Sequence, residues 1–155
     1  VLAGCGDSGE GPGEKLSKPT TSKAAALARI EQLIKETAGA IDPEPRLELY
    51  RPSLNDAPCD YGGDAEDRVV VRRMYYLKGI PKDRIAQASQ QVQRYWRQQG
   101  HRIEGLSADG IDAVGRSQPD GYQLALNELG DGSLGLGVTS PCVWADEEPK
   151  AAPAS

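Results

Sequence analysis

The sequence predicts an α+β fold: a two-layer sandwich in which two helices cover one face of an antiparallel sheet of about five to six strands. Two segments carry apolar residues at every third or fourth position, which is typical of amphipathic helices. The segments with alternating or β-branched patterns are joined by short turns, which favours antiparallel pairing. The predicted order of elements is α-β-β-α-β-β-β-β.

The two helices are predicted over Lys23–Ile41 and from Pro81 to Gly100. The first stops at Asp42-Pro43, because proline does not continue a helix. The second stops at glycine, the usual residue after a helix C-terminus. The predicted strands are Arg46–Arg51, Arg68–Lys78, His101–Ser107, Ala113–Ser117, Tyr122–Leu129 and Leu134–Val138.

The last predicted strand has leucines on one side and glycines on the other. Leu134 and Leu136 share one face, and Gly135 and Gly137 alternate with them. Glycine at such positions indicates either close approach by another backbone or a flat outer surface. Ordinary packing is the simpler explanation of the pattern.

One folded domain is predicted over residues 22–143, which is long enough to bury a core of its own. Residues 5–21 and 144–155 contain few large apolar side chains, and they are predicted to be a disordered tether and a disordered tail. The net charge is −5, of which six acids and three bases in residues 1–21 and 144–155 contribute −3. The domain therefore carries −2 and no basic excess, so a nucleic-acid partner is not expected.

The tetrapeptide Leu2-Ala3-Gly4-Cys5 resembles the bacterial lipobox. In that motif, small residues before the cysteine give a signal peptidase access to the backbone, and the cysteine thiol takes a diacylglyceryl group. We therefore interpret residues 1–4 as the remnant of a signal peptide and Cys5 as the lipidation site, bearing acyl chains such as palmitate. Two or more acyl chains hold a protein stably at a membrane. The alternative is a chance tetrapeptide of common residues.

Further segments make the chain resemble the small secreted lipoproteins of actinobacteria. The resemblance rests on LAGC, on YWRQQGHRI (Tyr95–Ile103), on PDGYQLAL (Pro119–Leu126) and on VTSPCV (Val138–Val143). It implies an extracellular location on the outer face of the cell membrane, anchored through Cys5. Because this group has no established activity, the resemblance implies no catalytic residue.

The chain has three cysteines, at positions 5, 59 and 142. An odd number in an exported protein suggests one pair and one cysteine with another fate. We predict a Cys59–Cys142 disulfide, which closes a long loop and contributes up to ~4–5 kcal/mol in the chain-entropy model. Two free, buried thiols are the alternative.

Candidate catalytic and metal sites are weak. The only histidine, His101, follows a predicted helix end, and a surface or strand-edge role is the simpler interpretation. The segment Asp60–Asp67 gathers four carboxylates, which leaves calcium open as an alternative to a solvated loop. Asp109 and Asp112 are interpreted as turn residues. We predict no enzyme, no metal and no cofactor.

A possible contact patch is predicted on the long strand, at Tyr75 and Tyr76 with Arg72 and Arg73. Because side chains alternate along a strand, Tyr76 and Arg72 share one face while Tyr75 and Arg73 share the other. The sequence thus favours a non-enzymatic, membrane-anchored envelope lipoprotein that binds a protein or cell-wall partner. The alternative is a carrier that holds a small ligand between helices and sheet.

Overall fold

A computed structural model of the chain describes residues 21–59 and 68–145. The helices in this part of the chain are α1 (Lys23–Ala38) and α2 (Ile85–Gln98). Short 3-10 turns lie at Arg51–Ser53 and Lys82–Arg84. The strands are β1 (Arg46–Leu49), β2 (Ala57–Pro58), β3 (Arg68–Val70), β4 (Arg72–Lys78), β5 (Arg102–Leu106), β6 (Ala113–Arg116), β7 (Gln123–Glu128), β8 (Leu134–Thr139) and β9 (Val143–Trp144).

Helix α1 begins at a capped N-terminus, since the Ser22 Oγ accepts a hydrogen bond from the Ala25 N–H at 3.2 Å. Its apolar face buries Ile30 and Ile34 completely. The helix ends at Ala38, three residues before the end that the sequence predicted, and the chain then turns so that Ile41 is still buried.

Helix α2 is joined to α1 by a buried side-chain hydrogen bond. The Trp96 indole N–H donates to the Thr37 hydroxyl at 3.0 Å, and both side chains are buried. On the same helix, Gln93 donates to the carbonyl of Gly110 and Ser89 donates to that of Ile111. These bonds fix the loop between β5 and β6 against α2, because buried polar groups are stable only when they are paired.

The main sheet has six strands in the order β1-β4-β8-β7-β6-β5, and every neighbouring pair is antiparallel. The predicted α+β class, with two helices and a six-stranded antiparallel sheet, is confirmed. The side that faces the helices, here called the covered face, supplies the core. Leu124, Leu126, Leu134 and Leu136 have no exposed surface on this side.

The segment Arg68–Lys78, predicted as one strand, is two strands in different sheets. The break lies at Val71, whose N–H donates to the Ser140 Oγ at 3.0 Å and whose carbonyl accepts from the Ser140 N–H at 2.8 Å. These bonds replace the ladder bonds of a strand, so the chain changes sheets without leaving a buried polar group unpaired. The single-strand prediction is therefore wrong at this residue.

A second, three-stranded sheet with the order β2-β3-β9 lies beyond this break. The Cys59 and Cys142 Sγ atoms lie 2.08 Å apart, so the predicted pair forms a disulfide beside this small sheet. Strand β9 includes Trp144, whose N–H donates to the Thr21 carbonyl at 3.0 Å. Strand β9 thus includes one residue beyond the domain end predicted at residue 143.

Candidate binding surface

The side of the main sheet that faces away from the helices, here called the open face, is formed by alternate residues of its strands. Cross-strand partners lie on the same face, so the registers arrange these residues in rows that run across the strands. The first row, here called the basic row, contains Arg72, Thr139, Gln123, Arg116 and Arg102. The adjacent row, here called the channel, contains Met74, Gly137, Ala125, Val114 and Gly105.

The middle of the channel is shallow because Gly137 and Ala125 supply little or no side chain there. A Cβ atom built on Gly137 would lie 3.8 Å from the Met74 side chain, and one on Gly135 would lie only 2.6 Å from the Met74 Cε. The glycines therefore allow Met74 to lie along the sheet. Gly135 is buried under the Met74 and Leu129 side chains, so ordinary packing accounts for this glycine of the glycine–leucine alternation.

A groove of about 220 Å³ lies at the β4 end of the channel, with Gly137 and Ala125 among its lining residues. Its wall forms because β1 ends at Leu49 and the chain turns there. The Ser53 Oγ accepts a hydrogen bond from the Met74 N–H at 2.9 Å, and the Tyr50 N–H donates to the Met74 carbonyl. The 3-10 turn is thereby held against the edge of β4.

Two tyrosines border this end of the open face. The rings of Tyr50 and Tyr76 meet edge to face with centroids 5.6 Å apart. The Lys78 ammonium lies 5.1 Å from the Tyr76 ring centroid. Lys78 therefore covers a face of the Tyr76 ring and makes a cation–π contact with it.

The open face is basic although the whole chain is acidic. Its described cations are Arg46, Arg72, Lys78, Arg102 and Arg116, and its described acids are Glu48 and Glu104. Five cations and two acids give this face a net charge of +3. The other described residues carry ten cations and eleven acids, which gives −1. Positive charge is thus concentrated on this side of the sheet.

These cations differ in their partners. A bulge in β5 between Ile103 and Gly105 accommodates Glu104, which forms ion pairs with Arg116 and Arg102 at 3.0 and 3.1 Å. The hydrogen bond from Arg116 lowers the pKa of the Glu104 carboxyl, and so does the positive charge of both arginines. By contrast, no carboxylate among the described residues pairs with Arg72.

The four residues of the predicted contact patch are divided between the two faces, as strand alternation requires. Tyr76 and Arg72 lie on the open face, and Tyr75 and Arg73 lie on the covered face. The Tyr75 hydroxyl donates to the Glu31 carboxylate of α1 at 2.8 Å. Burial and this carboxylate raise the pKa of Tyr75 to about 12. Tyr75 is therefore part of the helix–sheet interface, and of the four residues Tyr76 and Arg72 share the open face.

His101 is held in a polar cluster behind the sheet. Its Nδ1 accepts a hydrogen bond from the Gln118 N–H at 3.1 Å, and burial and the nearby Arg29 lower its pKa. Arg29 in turn pairs with Asp120 at 2.8 Å. Burial alone would raise the pKa of Asp120, but hydrogen bonds from Ser117 and Arg29 hold it below its usual value. The cluster joins α1 to the turn between β6 and β7.

The aspartates after β5 are turn residues. Asp109 accepts hydrogen bonds from the Ser107 hydroxyl and the Ile111 N–H, and Asp112 accepts one from the Glu128 N–H. Within residues 21–59 and 68–145, His, Cys, Asp and Glu side chains nowhere gather in the threes that a metal ion needs. Neither helix of this region has the length and apolar character needed to cross a bilayer.

Four predicted features lie wholly or mainly outside the described residues: the signal-peptide remnant 1–4, Cys5 with the tether that follows it, the acidic segment 60–67, and the tail beyond residue 145. Other residues of the open face were missed by the sequence analysis: Tyr50, Ser53, Met74, Gln123, Ala125, Asn127 and Thr139. The alternating glycines of β8 left a close backbone contact, a flat face and ordinary packing open, and they could not identify which strands flank β8. Those neighbours depend on the order of strands, which a single sequence does not state.

Comparison with known proteins adds no relative. The chain matches no protein-family model, no curated protein and no solved structure. Arguments about its function therefore rest on the residues and geometry described above.

Proposed function

We propose that this chain is a lipid-anchored protein of the bacterial cell envelope, held on the outer face of the membrane through acylated Cys5. Its domain acts without catalysis and binds a protein or cell-wall partner through the open face. The observation that carries the binding proposal is the combination on one surface of a groove, a basic row and polar side chains for which the described residues supply no partner.

The anchor is supported by the lipobox-like tetrapeptide and by the use of the other two cysteines. Cys59 and Cys142 are joined to each other, which leaves Cys5 as the odd cysteine of the three. Stable disulfides are typical of exported proteins and rare in a reducing cytosol. A disulfide-bonded domain and a lipobox-like cysteine are thus consistent with the same compartment.

The binding role is supported by unpaired polar groups on the open face. Among the described residues, no hydrogen-bond partner is found for the side chains of Gln123, Asn127 and Thr139. These three side chains border the groove together with Arg72. Amides, a hydroxyl and a guanidinium beside an apolar floor can bind a polar partner and exclude water from it.

The structure gives no support to a carrier that holds a ligand between helices and sheet. Trp96 and Ile34 fill that layer with no exposed surface, as do the leucines of β7 and β8. A Cβ atom on Gly115 would lie 3.3 Å from the Trp96 ring, which shows how closely α2 approaches the sheet. The groove lies on the other side, and its 220 Å³ is below the roughly 300–1,000 Å³ of typical ligand pockets.

The anchor is tested by Cys5→Ala in the complete precursor, expressed in a bacterium that lipidates such proteins. We expect the variant to move from the membrane fraction to the medium, because it loses the acylated thiol. Cys59→Ala is the matched control, since it removes a cysteine but leaves position 5 intact. Full membrane retention of Cys5→Ala would exclude the lipid anchor.

The binding role is tested by crosslinking on intact cells, with a photoreactive residue placed at Gln123 on the open face or at Arg94 on the exposed side of α2. A partner bound to the open face should give a crosslinked band from position 123 that is absent from position 94. Equal crosslinking from both positions, or none from position 123, would contradict binding through this face.

A further inference from the structure

We propose that the ligand of the open face is an extended, acidic peptide segment of a partner protein, with two carboxylate residues four positions apart. This inference rests on the proposed binding function and names the chemistry of the partner. The peptide lies across the strands along the channel, with its carboxylates directed to the cations of the basic row.

The dimensions of the channel suit a short extended peptide. It crosses five strands, from Met74 on β4 to Gly105 on β5. Neighbouring strands lie about 4.8 Å apart, so four steps between strands span about 19 Å. An extended chain advances about 3.4 Å per residue, so about six residues fill this length.

The positions of the cations set the spacing of the carboxylates. Arg72 lies at the β4 end of the basic row. Arg116, three strands away on β6, and Arg102 beside it form the other end, where the two arginines share Glu104 and keep one net positive charge. Three steps are about 14 Å, which equals about four residues of extended chain. Because side chains alternate along an extended chain, residues i and i+4 point to the same side. Carboxylates at these positions can therefore reach both ends of the row together.

The residue midway between the carboxylates falls at the groove. Position i+2 lies about 7 Å from Arg72, between β8 and β7, where Gly137 and Ala125 line the groove. A volume of 220 Å³ accepts one apolar side chain of a peptide. Gln123 and Thr139, whose side chains have no partner among the described residues, lie between the two cationic ends and can bind the peptide backbone. The ligand thus has the pattern acid–any–apolar–any–acid.

Three other occupants suit this surface less well. A second copy of the chain would oppose one net charge of +3 to another across the interface. A sugar ring would need an open aromatic face, and the Tyr76 ring is already contacted by Lys78 and Tyr50. A bilayer is flat on this scale and would leave the groove empty. An acidic peptide complements both the positive charge and the shape of the open face.

The test is a titration of the full 155-residue chain, carrying Cys5→Ser, followed by two-dimensional NMR at low ionic strength. The probe is the acetylated and amidated peptide Ser-Glu-Ala-Val-Ala-Glu-Ser. Two control peptides have lysine in place of both glutamates, or the same composition with the glutamates adjacent. We expect the spaced acidic peptide to shift the amide signals of Ala125 and Gly137 and to bind about threefold or more tightly than the adjacent isomer.

Two protein variants separate charge recognition from folding. Arg72→Gln should weaken the acidic peptide about threefold or more, because it removes a cation that no described carboxylate neutralises. Arg94→Gln, an exposed change on α2, should leave affinity unchanged. Both side chains are exposed, so equal melting temperatures are expected for the variants and the parent.

The proposal is overturned if the lysine peptide binds as well as the acidic one, if the two acidic isomers bind equally, or if the shifted signals lie on the helices. Binding of phosphatidylglycerol vesicles or polygalacturonate in place of the peptide would assign the face to a membrane or an acidic polymer. In these cases crosslinking from Gln123 in cells can still succeed, so failure of the peptide chemistry is distinguishable from failure of the binding role.

Discussion

The two faces of the main sheet are built from alternate residues of the same strands, yet different forces determine their composition. On the covered face, Leu124, Leu126 and Leu136 are completely buried in the core that α1 and α2 also line. On the open face, the interleaved residues Ala125 and Gly137 stay partly exposed. Burial of apolar area is the main term that stabilises a fold, so the covered face determines stability. The composition of the open face is therefore less constrained by the stability of the fold.

The two faces also differ in how the hydrogen bonds of their polar side chains are satisfied. Behind the sheet, the Trp96 indole and the Tyr75 hydroxyl each have a partner in α1. On the open face, Gln123 and Thr139 have no partner among the described residues, because water can satisfy them. A partner that binds there replaces water, whereas a change on the covered face must first disturb the core. Stability and binding should therefore respond to different substitutions.

The largest expected difference between the faces comes from Trp96→Ala and Met74→Ala. Trp96 has no exposed surface, so its truncation leaves a cavity and should lower the free energy of unfolding by about 3–5 kcal/mol. It also leaves the buried Thr37 hydroxyl without its donor. Met74 is partly exposed, so its truncation should cost less than about 1.5 kcal/mol. Urea unfolding measures both, and equal losses would contradict the assignment of the faces.

A subtler difference is expected between two glycines of the same sheet, Gly115→Ala on the covered face and Gly137→Ala on the open face. A Cβ on Gly115 would lie 2.8 Å from the Arg102 carbonyl oxygen and close to Trp96, so backbone must move. We expect a loss of about 1–3 kcal/mol. A Cβ on Gly137 meets ordinary contacts at 3.6–3.8 Å, and alanine lowers the entropy cost of glycine in a strand. Gly137→Ala should change the free energy of unfolding by less than about 0.5 kcal/mol. A larger loss for Gly137→Ala than for Gly115→Ala in urea unfolding would contradict the assignment of the two faces.

Much of the main sheet could be predicted from local patterns. The apolar periodicity of α1 and the leucine–glycine alternation of β8 each depend on neighbours in sequence. Both the helix and the strand were therefore predicted from the sequence. The small sheet was not predictable, because β2 is only Ala57–Pro58 and pairs with Val69 and Val70 across the segment 60–67. The break at Val71 was not predictable either, because it depends on a hydrogen bond to Ser140, 69 residues away.

The binding surface could be predicted only in part for the same reason. Alternation placed Tyr75 and Tyr76 on opposite faces, but both faces of β4 carry aromatic and charged residues. Which face meets the helices depends on the strand order, and that order is set by contacts distant in sequence. The groove wall at Tyr50 and Ser53 depends on a side-chain hydrogen bond to the backbone of Met74. Such hydrogen bonds leave no periodic pattern in the amino-acid sequence.

The smallest expected difference separates the adjacent tyrosines of β4 by their response to alkaline pH. Burial and Glu31 raise the pKa of Tyr75 from 10.0 to about 12, so the folded state holds this proton more strongly than the unfolded state does. The resulting stabilisation is complete below pH 10 and is lost as the pH rises through about 12. Tyr75→Phe should cost about 1 kcal/mol at neutral pH and make the loss of stability above pH 10 less steep. Tyr76→Phe, on the open face, should retain the steep loss because Tyr75 is still present. Urea unfolding at a series of pH values measures both, and an unchanged slope in Tyr75→Phe would show that its hydroxyl is not held at the helix–sheet interface.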